Sequence, residues 1–337
     1  MPIKTGGRTL LLPEAVSILS SAAIAGKKEG QGPLKACFDS ISKDSYFGES
    51  TWEKAESQML RQCFTTACGK AKCPPSSLDC VFSGDLLNQC VSSAFAMKDV
   101  AVPYFGLYGA CSTITEAMTL GALLIAGSSA ETVCAVTGSH FCSAERQYRF
   151  PLEYGGQRTP TSQWTVTAAG AAILRKGGGG PYITGVTPGA IVDSGVTDAN
   201  NMGAAMAPAA HDTLSAHFRD TGRDPEYYDA IFTGDLGAIG HDLLQQLFAR
   251  DGVELGARYM DCGVLMYDIR TQDVHAGGSG CGCCASVLCG HILRGIRRGV
   301  WKRVLVAATG ALMSPLSCQQ GCSIPGVCHA ISIESEV

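Results

Sequence analysis

Cys111 stands in FGLYGACSTITEAMTLGALLIAG, residues 105 to 127, after two small residues and before a helix-like run. A thiol at a strand-to-helix turn meets unpaired backbone N–H groups and the positive end of a helix dipole. Two chemistries suit that setting. The thiolate can be a nucleophile, or the same N–H groups can hold a carboxylate while the sulfur only lines a pocket. A nucleophile also needs a base brought from another element. Of the seven histidines, His140 follows a β-branched run and His211 lies in PAAHDTL on a helical pattern, so these two are the candidate bases. His217, His241, His275, His291 and His329 carry no motif and read as structural or surface residues.

The elements that position Cys111 are legible as a repeat. DCVFSGDLLNQ begins at Asp79 and DAIFTGDLGAI at Asp229. Thr137-Gly138 and Thr309-Gly310 come next in the same order. The runs CVFSG, TVCAVTG, AIFTG and VLVAATG are short, apolar and end in glycine, which suits strands buried on both faces. Duplication at this scale implies two α/β halves with the boundary in KGGGGP near residue 180: an N-terminal half over 1–180 and a C-terminal half over 181–337. TSQWTVTAAGAAILRK followed by PYITGVTPG reads as a hairpin turning at Gly177 to Pro181. SPLSCQQGCSIPGVCHAISIE reads as its counterpart in the second half. AMAPAAHDTLSAHFRDTG reads as a helix stopped near Gly222.

Composition narrows the function. The net charge of −4 gives no basic field for nucleic acid. Arg294-Gly295-Ile296-Arg297-Arg298 reads as a solvated helix end. The 17 cysteines are scattered, many inside apolar runs, which fits buried free thiols in a reducing compartment. Cys281, Cys283, Cys284 and the later Cys318, Cys322, Cys328 and His329 lack paired CxxC spacing, so neither a metal nor another cofactor is expected. No apolar run approaches the roughly 20 residues of a membrane helix. Pro13 and Glu14 interrupt the apolar N-terminal stretch, which argues against a signal peptide.

Two tandem halves, a cysteine at the strand-to-helix turn of the first and a Gly/Ser-rich turn in the second resemble the thiolase and ketoacyl synthase superfamily. That resemblance implies a thiolase-like fold, a layered αβαβα sandwich. It also implies an acyl-accepting cysteine served by partners from the second half. Those partners are missing. The histidine position of initiating ketoacyl synthases falls at Gly234 or Asp235, and the turn that reads GNTSA in those enzymes reads Gly-Cys-Gly-Cys-Cys at 280 to 284. An aspartate beside the thiol raises its pKa rather than lowering it.

A closer resemblance runs along nearly the whole chain. SGDLLNQ (83–89), LYGACST (107–113), AERQYRFPLEYGGQ (144–157), MGAAMAPAAHDT (202–213), DAIFTGDLG (229–237), AGGSGC (276–281) and VLVAATGALMSP (304–315) are similar to the stage V sporulation protein AD family of spore-forming bacteria. The departures are His211, where a small residue is expected, and the richer cysteine content. The resemblance implies a binding subunit without catalysis for pyridine-2,6-dicarboxylate (dipicolinate), alone or with calcium. It implies the membrane subunits of the SpoVA complex as partners, for dipicolinate uptake into the forespore and release at germination. It implies peripheral residence at the spore inner membrane. On this reading Cys111, Ser112, Ser279, Gly280, Cys281 and Ser314 line the pocket, Met202 packs on the ring, and Asp193 and Asp198 reach the ligand through water or calcium or else cap their own loop. Arg146, Arg149 and Arg158 either meet the anion or pair with Glu145 and Glu153, the structural role being favoured. Superfamily members pair through the first-half sheet, so a homodimer is one option. The competing function is an acyl-transferring condensing enzyme with Cys111 as nucleophile.

Overall fold

Residues 9–25 set the architecture. In the computed structural model, which describes residues 1–148 and 158–337, they form a single 17-residue strand, Thr9–Ala25 (β1). The remaining strands of the main sheet path are Cys80–Gly84 (β2), Tyr104–Gly106 (β3), Thr132–Ser139 (β4), Ala168–Lys176 (β5), Tyr182–Thr187 (β6), Ala230–Thr233 (β7), Tyr259–Asp261 (β8), Arg303–Ala311 (β9) and Gly326–Glu334 (β10). Their order across the sheet is β8-β7-β9-β10-β6-β1-β5-β4-β2-β3. Counted outward from the centre, both halves run first, fifth, fourth, second, third. Pairing directions also match: β2 is parallel to β3 and β4, and β7 is parallel to β8 and β9. β5 and β10 are each antiparallel to both neighbours.

The expected hairpin between 164–176 and 182–187 does not form. β1 lies between β5 and β6, antiparallel to each. The intervening residues 177–181 therefore cross the width of one strand, about 10 Å, which five residues span easily. Both β5 and β6 are apolar and buried, so each needs a neighbour on both edges, and the apolar N-terminal stretch supplies it. Pro13 and Glu14 interrupt the β1–β6 register between Leu11 and Val16, where a proline lacking an N–H is tolerated. The strand after SPLSCQQGCSIP pairs back onto β9 across a loop holding a short helix, Pro315–Gln319.

Helices complete the layers. Trp52–Ala71 (α1) covers β1, β5 and β4 on one outer face. Thr113–Ala126 (α2) is sandwiched, touching β2, β4 and β5 of one half and β9 and β10 of the other. Met202–Thr221 (α3) and Gly237–Arg250 (α4) cover the outer face of the second half. Cys281–Val287 (α5) is wholly buried and packs on β4, β5 and α2. Strand residues alternate between layers, as a sheet buried on both faces demands. Val304, Val306 and Ala308 of β9 face the central helices, while Leu305 and Ala307 face the outer ones. Phe82 of β2 points inward and Val81 outward. α3 starts on the Asn201 side chain, which accepts from Ala204 N, and stops at Gly222 with φ +66°, as the sequence predicts. All 17 cysteines are free thiols, and most are buried. Among the described residues no helix is long and apolar enough to cross a membrane.

Candidate functional site: a pocket between the two halves

The chain leaves β3 and makes a tight turn at Ala110–Ser112 before α2 begins. Ala110 takes a left-handed conformation, φ +51°, uncommon for a residue with a Cβ. Elements of the second half clamp this turn. The Cys281 thiol donates to Ala110 O at 2.9 Å. Gly310 of β9 lies so close that a Cβ there would meet Gly109 O at 2.5 Å. That contact accounts for the glycine in the second Thr-Gly landmark. Cys111 is left 6% exposed, its sulfur 3.8 Å from Ser279 Oγ.

Asp235, from the second Gly-Asp-Leu, sits beneath this thiol and is fully buried. Its Oδ2 accepts from Ser279 Oγ at 2.7 Å and Gly280 N at 3.1 Å, and its Oδ1 from Thr309 Oγ1 at 2.8 Å. Burial pushes the Asp235 carboxyl up, and hydrogen bonds from Cys111, Ser279 and Thr309 hold it back. Burial drives the Cys111 thiol well above its ordinary value, and the charges of Asp235 and Cys281 push it further. The environment thus favours the protonated thiol beside Asp235, opposite to the surroundings that lower a thiol's pKa. Behind it lies a second buried carboxylate, Asp261 at the end of β8. It accepts from Thr233 Oγ1 and from the amides of Leu236, Gly237, Gly263 and Val264. Its pKa is raised to about 6, chiefly by burial. The first Gly-Asp-Leu supplies Asp85, which serves only its own loop, accepting from Leu87 N at 2.8 Å and Ser93 N at 2.7 Å.

A pocket of about 650 Å³, counting its open mouth, lies over Cys111. Cys111, Met202, Ser279 and Gly280 share its wall, as the sequence suggests. The other expected residues are placed elsewhere. Ser112 turns back on its own turn, its Oγ donating to Gly109 O at 2.7 Å. Cys281 is spent on Ala110 O behind the wall. Ser314 is an exposed N-cap of Pro315–Gln319, and its neighbour Met313 takes the pocket position. Asp193 and Asp198 are exposed Asx turns, accepting from Gly195 N and Asn200 N at 2.9 Å each; Ala199 and Asn200, next to Asp198, reach the pocket.

Several lining residues carry no motif. Gln163 donates to Asp235 O at 2.6 Å and to Gly278 O at 2.9 Å, and so holds both second-half turns. Tyr148 donates to Leu86 O at 2.9 Å and lays its ring along the pocket. Glu145 accepts from Thr165 Oγ1 at 3.0 Å. Among the described lining residues none is Lys, Arg or His. His140 is bonded to Ser45 O at 2.7 Å and lines a different cavity, and His211 pairs with Asp251 at 2.8 Å. Arg146 pairs with Glu53, and Arg158 pairs with Asp273 at 3.0 Å while stacking on Trp164. Arg149 and Glu153 lie outside the described residues.

The sequence profile of stage V sporulation protein AD matches residues 6–334. The chain belongs to that family. It is 39% identical over 330 residues to stage V sporulation protein AD of Bacillus subtilis strain 168, covering 98% of this chain and 97% of the relative. Its fold is thiolase-like. OleA of Xanthomonas campestris superposes with a TM-score of 0.61 at 14% identity, covering 96% of this chain and 99% of that one. The 3-oxoacyl-[acyl-carrier-protein] synthase III of Aquifex aeolicus superposes with a TM-score of 0.57 at 12% identity, covering 95% and 99%. At such identities the likeness speaks for fold alone. This sporulation-family chain therefore carries a condensing-enzyme fold in which the described residues bring no imidazole to the cysteine.

Proposed function

We propose that the chain is a non-catalytic dipicolinate-binding subunit that works with the membrane subunits of the SpoVA complex. Uptake of dipicolinate into the forespore and its release at germination are the steps served, and the chain sits peripherally at the spore inner membrane through those partners. The observation that carries the reading is the buried Cys111 thiol held over Asp235. The fold's nucleophile position is kept, its chemistry is disabled, and the pocket above it stays open. Tyr148 offers an aromatic ring and Met202 a polarisable thioether to a ligand ring, and Gln163, Thr165, Asn200 and Ser279 offer polar atoms for orientation.

Charge balance favours the calcium chelate over the free dianion. Asp235 stands under the pocket, and none of the described lining residues is Lys, Arg or His. A dianion meets repulsion there, whereas calcium dipicolinate is neutral and its metal still accepts oxygen ligands. Calorimetric titration with dipicolinate, with and without calcium, beside acetyl-CoA, tests the reading. Saturable heat with dipicolinate, stronger with calcium, is expected, and none with acetyl-CoA. Heat with acetyl-CoA together with an acyl adduct lost in Cys111→Ser would return the chain to the condensing enzymes.

A further inference from the structure

A second groove, sharing no lining residue with the pocket, lies between β1, the 36–39 loop and the end of the helix that α5 begins. Its lining includes Ser21, Asp39, Lys70, Arg294 and Arg297. The helix runs on through a π-helical stretch, Leu288–Ile292, into Leu293–Arg297. A π turn adds a residue and rotates the later turns of the helix, and such turns recur at functional sites. Gly290 in that stretch sits against the loop, where a Cβ would meet Cys37 O at 2.8 Å. Arg294 and Arg297, one turn apart, share a face of the helix.

Both arginines are fixed in place by neutral acceptors. Arg294 Nη1 donates to Ala36 O at 2.6 Å. Arg297 donates to Ser21 Oγ at 3.1 Å and Ile18 O at 3.0 Å. Neither forms an ion pair among the described residues, and both remain exposed. The one acidic residue of the lining, Asp39, is already taken by Lys70 at 3.0 Å and by Ala23 N at 2.9 Å. The lining thus holds three cations against one engaged carboxylate. A merely solvated helix end does not tie its arginines to two neighbouring segments, the 36–39 loop side and β1, and leave most of their donors unspent; each guanidinium has five.

We propose that this groove binds an oxyanion of the phosphate class, clamped by Arg294 and Arg297. Guanidinium forks match phosphate oxygens with paired hydrogen bonds, and two forks held at one site add geometric selection to charge. The phosphate can belong to a free small anion or to a lipid headgroup. Beside the groove Arg298 and the turn at Gly299 lead to Val300, an apolar side chain left 62% exposed, which a headgroup region would accommodate.

The test uses the full chain and two probes. The first is the rise in melting temperature with inorganic phosphate against chloride at equal ionic strength. The second is flotation with vesicles of phosphatidylglycerol and phosphatidylcholine in equal parts, against phosphatidylcholine alone. At least one probe is expected to bind, and Arg294→Gln is expected to weaken it by about tenfold or more. Arg270→Gln, an exposed arginine on another loop, is expected to leave it unchanged. Arg297→Gln serves as a second variant where its melting temperature in chloride matches wild type. Arg294→Gln answers alone otherwise, since it gives up a single hydrogen bond. Flotation competed by glycerol phosphate assigns a headgroup; a melting shift without flotation assigns a small anion. Absence of both effects, or an equal loss in the Arg270 control, overturns the proposal.

Discussion

Cys111 and Asp235 form one unit, and their behaviour follows from burial. A thiol pushed well above its ordinary value by burial holds little of the reactive thiolate at a given pH. Iodoacetamide at mildly alkaline pH is therefore expected to label the buried Cys111 far more slowly than the exposed Cys322, read by peptide mass spectrometry of the native chain. Equal rates would falsify the locked-thiol assignment. Asp235→Ala strands the Ser279 and Thr309 hydroxyls and the Gly280 amide, and is expected to cost about 3 kcal/mol in urea unfolding. Sequence reasoning located Cys111, Ser279, Gly280 and Met202, because each stands in a motif. It saw that an aspartate replaced the histidine, but not that this aspartate organises the site. The repeated Gly-Asp-Leu held that signal, though its twin Asp85 does no such work. Gln163, Asn200 and Met313 were illegible because they enter from loops, where no periodicity marks the inward face, and Tyr148 ends a helix of only eight residues, Phe141–Tyr148, too short to show one.

At the scale of elements, the seam between β1 and β6 is tied by a buried chain of hydrogen bonds. Thr9 Oγ1 meets Thr187 Oγ1 at 2.9 Å, Thr187 meets His217 Nδ1 at 2.7 Å, and His217 Nε2 meets Tyr228 OH at 2.5 Å. Tyr228 continues to Ser332 Oγ at 3.2 Å, so β1, β6, α3 and β10 are joined through one imidazole. Burial, followed by the charge of Arg223, lowers the His217 pKa to about 3. The folded chain then refuses a proton that the unfolded chain accepts below about pH 6.5. Stability from this group is complete above about pH 6.5 and is lost as pH falls toward 3. Asp261 acts in the opposite sense, since its raised pKa of about 6 favours the fold below that pH. Comparing variants separates the two. Between about pH 6.5 and 5, His217→Gln should lose about 2 kcal/mol less than wild type in parallel denaturant titrations. An unchanged pH slope would show that His217 does not titrate in this way. This seam was the part of the fold the sequence concealed. The strands of each half announced themselves by composition and by repetition, but β1 and β6 pair with each other across the boundary between the halves, and the proline and glutamate of β1 disguised it.

At the scale of the whole molecule, the path of the main sheet has two ends, and the two differ. β8 closes one end of the sheet, with Tyr259 and Asp261 buried. β3 closes the other with only three residues, and around it Phe95, Phe105 and Tyr108 are 57%, 49% and 50% exposed. An open edge flanked by large aromatic side chains invites a further strand, and natural proteins usually blunt such edges with charge. A second copy of this chain can present the same three-residue edge across a twofold axis, giving a self-complementary contact. Light scattering after size exclusion is expected to give twice the mass of 35.2 kDa at micromolar concentration. Phe105→Lys, which puts a charge on that edge while β2 pairing through Val81, Phe82 and Ser83 is retained, is expected to return the monomer. A monomeric wild type would instead leave this aromatic edge free for a different subunit. Phe105→Lys would then change assembly with the membrane subunits proposed above as partners and leave the mass of the isolated chain as it was.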